Sequence, residues 1–176
     1  MHKKLEKTVR IPFGKDIKEY LISKNFPHRK LPKLVDKYLK PTNTTLNDFH
    51  PKDIVFRLRS NLSLNTTKLE LITVNYTNSS YQHKNYLLFK GKEKESKKII
   101  KLLSLEEYLL INTNSILWEI SKDLHIIEEN FNNKHLFFKV EAVSNHKIQS
   151  FIEQFSNIEI IKKNIAWLLC ERKRMT

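Results

Sequence analysis

The chain has 176 residues with 40% apolar and 29% charged side chains, which suits a globular domain with a buried core and excludes a disordered chain. Lysine and arginine outnumber aspartate and glutamate by 32 to 19, and the resulting formal charge of +13 favours polyanionic partners such as phosphates, nucleotides or nucleic acid. The 2 glycines argue against glycine-rich phosphate loops, and the single cysteine, Cys170, excludes an internal disulfide and a cysteine metal cluster.

The first half of the chain is predicted to form a strand, a helix and then a series of strands. Residues 4–11 alternate apolar and charged side chains as a strand does, and Pro12 and Gly14 end it. Residues 15–25 carry apolar side chains at helical spacing. An extended piece at 34–40 and a loop at 41–52 follow. The next predicted strands are 53–62, 68–76 and 85–91, and a turn at 77–82 precedes the last of them.

The second half is predicted to contain two helices around three more strands. Residues 93–111 have a helical pattern with a break at Ser104, and residues 144–156 form the second helix. Residues 158–170 form a last strand or helix. The intervening strands are 115–121, 123–129 and 135–143. These elements predict a single α+β domain over residues 1–176, built mainly on antiparallel strands.

Several predicted strands carry charged side chains on one face and apolar side chains on the other. Arg57 and Arg59 share a face because side chains alternate along a strand, while Phe56 and Leu58 share the opposite face. By the same alternation, Lys90 falls on a face with Leu88 and Tyr86, and Lys139 with Glu141. A single strand of this kind fits an ordinary sheet with one solvated face. Recurrence on several strands weakens this explanation. If such a sheet closes into a barrel, the charged faces line its lumen, where basic groups would neutralise polyphosphate and carboxylates would hold a divalent cation.

Five short segments follow one another in an order known from one protein family. They stand in place of that family's E-x-E-x-K, D-x-Y-F, L-R-x-R, T-x-K and E-I-E motifs: Glu6-Lys7-Thr8-Val9-Arg10, Asp36-Lys37-Tyr38-Leu39, Phe56-Arg57-Leu58-Arg59, Leu88-Phe89-Lys90 and Lys139-Val140-Glu141. In this order the chain resembles the CYTH domain, or triphosphate tunnel metalloenzymes, which include class IV adenylate cyclases, thiamine triphosphatases and inorganic triphosphatases.

The resemblance implies a closed antiparallel β-barrel, the triphosphate tunnel, with flanking helices. It implies a hydrolase that splits the phosphoanhydride bonds of a triphosphate-containing small molecule with Mg²⁺ or Mn²⁺. Nucleotidyl cyclisation is less favoured because no purine pocket is recognisable. The implied metal ligands are Glu6, Glu129 and Glu141, of which Glu6 and Glu141 are the catalytic pair. The implied phosphate-binding residues are Arg10, Arg57, Arg59, Lys90 and Lys122.

Two departures from the family pattern leave an alternative open. Thr8 stands where the family has the second carboxylate of its first motif, and Lys139 stands where it has a carboxylate of its last motif. Lys139 either supplies a charge partner for Glu141 or fills the place of the metal. The segment 61–84 is also longer than in the family, so Lys68 and Glu70 compete with Lys90 for that strand's role. The alternative is a non-catalytic CYTH-like protein that binds RNA or another polyanion, as a structural component of a ribonucleoprotein such as an organellar ribosome.

The expected location follows from what the sequence lacks. No run is long enough to cross a membrane, and the N-terminus has no apolar signal core. We therefore expect a cytoplasmic protein, or one of an organelle matrix, without a membrane partner.

Overall fold

The computed structural model describes residues 7–45, 54–76, 81–161 and 165–174. The strands in these ranges are β1 (Lys7–Pro12), β2 (His28–Lys30), β3 (Leu34–Pro41), β4 (Ile54–Asn61), β5 (Thr66–Tyr76), β6 (Tyr81–Gly91), β7 (Leu105–Ser121), β8 (Leu124–Phe131) and β9 (His135–Ala142). The helices are α1 (Lys15–Ser23), α2 (Glu93–Leu102), α3 (Asn145–Ile152) and α4 (Ile165–Arg174).

The strands form a nine-stranded antiparallel sheet in the order β1-β9-β8-β7-β3-β4-β5-β6, with β2 added on β7. The predicted α+β class, an antiparallel sheet with flanking helices, is confirmed. In the residues that the structure describes, β1 and β6 end this order and no hydrogen-bonded pairing joins them. The backbone hydrogen bonds of the described strands therefore do not close the predicted barrel.

Contacts divide the chain into two compact units. Unit 1 comprises Met1–Leu31 and Thr113–Lys162, and unit 2 comprises Pro32–Asn112 and Lys163–Thr176. Strand β7 begins in unit 2 and continues into unit 1 from Thr113 onward. The single domain over residues 1–176 stays a prediction.

The core of unit 1 lies between one face of its strands and the helices α1 and α3. Register pairs Ile11 of β1 with Phe138 of β9, and Val140 of β9 with Ile126 of β8, and all four side chains are fully buried. The helices contribute apolar side chains at helical spacing, among them Phe151 of α3. The other face of the same strands mixes charged residues with buried apolar side chains, among them Ile127 and Phe137.

The core of unit 2 is built in the same way on one helix. Leu39, Leu58 and Leu69 lie on adjacent strands and pack with Leu105 at the start of β7. Ile99 and Ile100 of α2 cover them. The odd-numbered arginines of β4 therefore fall on the face opposite to this core.

The largest difference from the prediction is the segment 105–111, which was predicted as helix and is strand. The backbone of Ser104 has φ of 51°, in the left-handed region, which ends α2 and turns the chain into β7. Leu105 and Leu109 are four residues apart, so they fit a helical spacing as well as an alternating one. Strand β2 was missed because its three residues are all exposed and carry no apolar alternation.

The last predicted element, left open as strand or helix, is the helix α4 over its second half. None of the described helices is long and apolar enough to cross a bilayer.

Strand β6 has a bulge opposite β5, where one residue of β6 has no partner, and this changes which side chains share a face. Leu69 pairs with Phe89, but the next residue, Glu70, pairs with Leu87, so Leu88 has no partner. Lys90 therefore lies on the same face as Leu87, and the expected grouping of Lys90 with Leu88 and Tyr86 is wrong.

Candidate anion-binding site

Four charged residues form a row across the sheet of unit 2. The register sets Asp36 of β3 opposite Arg59, Arg59 opposite Lys68 of β5, and Lys68 opposite Lys90 of β6. Directly paired residues lie on one face, so the predicted site residues Arg59 and Lys90 come together two strands apart. Lys68, expected to compete with Lys90, lies beside it instead.

We call Arg59, Lys68 and Lys90 the cation row. Lys68 and Lys90 are exposed, and among the described residues neither has an acidic partner at ion-pair distance. Like charges placed directly opposite on neighbouring strands destabilise a sheet. A bound anion would relieve this repulsion, which makes the cation row a candidate anion-binding site.

Arg59 is held in place by a carboxylate. Its Nε and Nη2 atoms donate to Oδ1 and Oδ2 of Asp36 at 2.7 and 2.6 Å. The Asp36 side chain is only 4% exposed, whereas that of Arg59 is 33% exposed. A two-point contact of this kind fixes the plane of the guanidinium and leaves its remaining N–H groups for another acceptor.

A second row lies beside the first and holds the other predicted arginine of β4. Tyr38 pairs with Arg57, Arg57 with Glu70 and Glu70 with Leu87. Nε and Nη2 of Arg57 both donate to Oε2 of Glu70, at 3.1 and 2.7 Å, and both side chains are mostly buried. Glu70 thus neutralises Arg57 within the protein, so a phosphate would compete with Glu70 for this guanidinium.

The buried groups of these rows have shifted pKa values. Burial raises the pKa of Tyr38, Asp36 raises it further, and Arg57 and Arg59 partly offset this. Burial lowers the pKa of Arg59, but the hydrogen-bonded carboxylate of Asp36 raises it by more, so Arg59 stays charged. Burial also raises the pKa of Tyr108 on β7.

In unit 1, the charged face of the sheet holds Arg10 and Glu129 in one ion pair. Nε of Arg10 donates to Oε2 of Glu129 at 2.7 Å, and Nη2 donates to Oε1 at 3.3 Å. Their side chains are 12% and 11% exposed. The Arg10 guanidinium also lies 5.8 Å from the centre of the Phe131 ring. The predicted phosphate ligand and the predicted metal ligand therefore contact each other.

The second predicted metal ligand of unit 1, Glu141, is also paired with a cation. Nζ of Lys139 lies 2.5 Å from Oε1 of Glu141, on the same strand. Thr8 and Arg10 of β1 lie opposite Glu141 and Lys139 in the register. Two roles were left open for Lys139: it is the charge partner of Glu141, or its ammonium occupies the place of the metal. Both roles require this contact.

The described carboxylates do not fit a resident metal ion in this arrangement. Both oxygens of Glu129 accept from Arg10, and Lys139 contacts Glu141. Over residues 7–45, 54–76, 81–161 and 165–174, no three His, Cys, Asp or Glu side chains come close enough together to hold a metal. Glu6, the third expected ligand and expected catalytic residue, lies outside the described residues.

The remaining predicted cation, Lys122, lies in the turn between β7 and β8, where it is exposed. It belongs to unit 1, as Arg10 does, whereas Arg57, Arg59 and Lys90 belong to unit 2. The predicted phosphate-binding residues therefore divide between the two units.

The carboxylates that hold the arginines of unit 2 were not predicted as site residues. In the sequence, Asp36 stands out only as part of a motif, and Glu70 only as a residue that competes with Lys90 for the role of its strand. A signal was available, because a tight hairpin centred on residues 63 and 64 pairs Arg57 with Glu70 and Arg59 with Lys68. Alternating charges at matched distances from a turn predict such cross-strand ion pairs.

No family model matches this sequence, and no curated protein sequence matches it. Solved structures match its fold over nearly the whole chain. The PH1819 protein from Pyrococcus horikoshii has a TM-score of 0.69 at 11% identity, covering 94% of this chain and 99% of its own. A proposed adenylyl cyclase from Hippeastrum with a dominant triphosphatase activity has a TM-score of 0.62 at 7% identity, covering 95% of both chains.

A third similar structure is a proposed adenylate cyclase from Vibrio parahaemolyticus, with a TM-score of 0.52 at 11% identity, covering 86% of this chain and 84% of its own. These structural neighbours are of the CYTH type, so the predicted CYTH-type fold is confirmed. At these identities the likeness concerns the fold.

Proposed function

We propose that this protein binds triphosphate-containing compounds at the cation row and hydrolyses their phosphoanhydride bonds. The observation that carries the proposal is the position of Lys68 and Lys90, two exposed lysines directly opposite each other beside Arg59. The fold likeness to the Hippeastrum protein with triphosphatase activity supports the same class of reaction.

The dimensions of the cation row suit a chain of phosphates. Adjacent strands are about 4.8 Å apart, so the first and last cations are anchored about 10 Å apart. Three cations at this spacing can each contact a different phosphate of one triphosphate. The planar guanidinium of Arg59 suits two-point contact with phosphate oxygens, and the lysines act as mobile point charges.

The protein's own contribution to hydrolysis is positioning and charge. Water attacks the terminal phosphorus and gives up a proton to the solvent. The bond from this phosphorus to the bridging oxygen breaks, and the departing diphosphate part keeps the electron pair of that bond. Cations fixed beside the leaving oxygens stabilise the charge that develops there. Asp36 and Glu70 keep the guanidinium planes of Arg59 and Arg57 oriented before the substrate arrives.

The proposed reaction is expected to depend on Mg²⁺ or Mn²⁺, and the proposal says no more about the metal than this. A divalent ion of this kind supplies charge to the phosphate oxygens and uses one or two protein carboxylates. Glu129 and Glu141 would first have to leave Arg10 and Lys139. We therefore assign no step to a metal.

Binding of inorganic triphosphate, measured by calorimetry in EDTA, tests the site. We expect the double variant Lys68→Gln with Lys90→Gln to bind at least about 100-fold more weakly, because it loses two charge-assisted contacts and each loss weakens binding about 10-fold or more. Lys84→Gln, on the same strand β6 but outside the row, is the matched control. Equal affinities of the double variant and this control would rule out the site.

Phosphate release from inorganic triphosphate, thiamine triphosphate, ATP and RNA 5′-triphosphate, with Mg²⁺ or Mn²⁺, tests the reaction. Release that is lost in Glu141→Gln would support the predicted catalytic role of this residue. Binding at the cation row without release from any of the four would refute hydrolysis and leave the non-catalytic alternative.

A further inference from the structure

Helix α2 turns a face of lysines away from the core of unit 2. Its buried or half-buried residues are Ser96, Ile99 and Ile100, which fix the inward face. At about 100° per residue, the side chains opposite to them are spaced at i, i+3, i+4 and i+7. Those positions are held by lysines, all exposed: Lys94, Lys97, Lys98 and Lys101.

The acidic residues of α2 lie at its first turn and leave this face basic. Glu93 pairs with Lys97 at 3.3 Å, and Glu95 accepts from the backbone N–H of Lys92 at 3.0 Å. In the part of the chain that the structure describes, Lys94, Lys98 and Lys101 have no ion pair with a carboxylate. Most of the charge of the face is therefore available to an external anion.

An exposed leucine continues the lysine face at the end of the helix. Leu102 occupies the next position of the same stripe, at i+8, and is 83% exposed. A leucine exposed to this extent leaves apolar surface in water, which costs free energy unless a partner covers it.

Two further exposed leucines lie at the end of the sheet from which α2 begins. Leu62 and Leu64 belong to the turn between β4 and β5 and are 56% and 67% exposed. Register pairs Thr67, just after this turn, with Gly91, two residues before the helix. Leucines thus lie near both ends of a helix about 15 Å long that carries the lysines between them.

We propose that this surface docks on an anionic lipid bilayer. We name it the α2 docking face and define it as the four lysines of α2 with Leu62, Leu64 and Leu102. Lysines attract anionic headgroups, and leucines gain free energy by entering the apolar boundary of the bilayer. The phosphate backbone of RNA would use the lysines but has no apolar surface to cover leucines, so the leucines favour lipid. The proposal is independent of the cation row and changes the expectation of no membrane partner.

The test is sedimentation of the whole protein with vesicles of phosphatidylcholine alone and of phosphatidylcholine with phosphatidylserine. We expect binding only to the second kind, weakening as salt rises. Lys94→Glu with Lys98→Glu should lower the partition coefficient at least about 20-fold, since one lysine near such a surface contributes about 5-fold. The matched control, Lys134→Glu with Lys147→Glu on exposed sites of unit 1, changes the net charge equally and should lower it less than about 3-fold.

The leucines are tested separately. Leu102→Ser should weaken vesicle binding about 5-fold or more at physiological salt, whereas Leu136→Ser, at an exposed leucine of β9 in unit 1, should leave it unchanged. Circular dichroism and urea unfolding should show that each variant folds. Absence of binding to anionic vesicles, equal losses in variants and controls, or an effect of the α2 variants on RNA binding alone would overturn the proposal.

Discussion

At the scale of single residues, each predicted phosphate-binding arginine lies beside a carboxylate. Arg10 contacts Glu129, Arg57 contacts Glu70 and Arg59 contacts Asp36, each through two donor atoms. A guanidinium removed from water requires such a partner. Arginines of this kind are oriented and partly neutralised. Lys68 and Lys90, which have no acidic partner within the described ranges, therefore carry most of the charge that an incoming anion meets.

The buried Tyr38, which lies beside these ion pairs, makes the stability of the folded protein decrease at alkaline pH. Tyr38 keeps its proton in the folded protein above the pH at which an unfolded tyrosine, with its pKa near 10, loses it. Its contribution to folding is therefore complete below about pH 10, and it is lost as the pH rises through the raised pKa.

We expect Tyr38→Phe to leave the tyrosinate absorbance change of the folded protein near pH 10 unaltered, because this hydroxyl does not ionise there. In urea every tyrosine ionises, so the same variant should lose one part in six of the wild-type change. Absorbance titration at 295 nm measures both. A loss of one part in six in the folded protein as well would mean that Tyr38 titrates normally.

At the scale of elements, the turns depend on residues in the left-handed region. Among the residues that the structure describes, six other than glycine have positive φ, and five of these are asparagines, the residue type that tolerates this region best after glycine. Ser104 is the sixth, and it ends α2 and starts β7. Serine has no such tolerance, so this turn is strained.

We expect Ser104→Gly to raise the free energy of unfolding by about 0.5–1 kcal/mol, because relief of the left-handed strain exceeds the entropy gained by the unfolded chain. The matched control is Ser150→Gly on the exposed side of α3, which should lower stability by about the same amount. Urea unfolding measures both changes. The same sign in both variants would contradict this account of the turn.

The elements show where sequence periodicity stops being informative. Alternation was sufficient to predict β4, β8 and β9 as strands, because charged and apolar side chains alternate along them, although β8 and β9 also bury apolar side chains on the charged face. It failed at β6, where the bulge at Leu88 moves Lys90 to the other face, since a bulge depends on the partner strand and not on the strand itself. It also failed at residues 105–111, where two periods fit the same leucines.

At the scale of the whole molecule, the charge of +13 opposes compaction. Salt screens this repulsion, and an anion that binds the folded protein adds a stabilisation of its own. The two effects can be separated because only the second depends on particular lysines.

We expect added sodium chloride to raise the melting temperature, and inorganic triphosphate at the same ionic strength to raise it by about 2–5 °C more. In Lys68→Gln with Lys90→Gln, the increase caused by sodium chloride should persist and the excess caused by triphosphate should disappear. Thermal unfolding followed by circular dichroism measures both. An excess that survives in this variant would mean that triphosphate acts elsewhere or only by screening.

The sequence by itself determined the alternating strands, the charged face that Arg57 and Arg59 share, and the resemblance to the CYTH fold, because these depend on residue order and on a period of two. Only the tertiary structure decided the partners. It placed Lys68 and Lys90 in one row, joined Arg10 to Glu129, and brought Lys139 to Glu141 where a metal was expected. These contacts depend on strand register and on which charges burial forces together, and neither is encoded in any one segment.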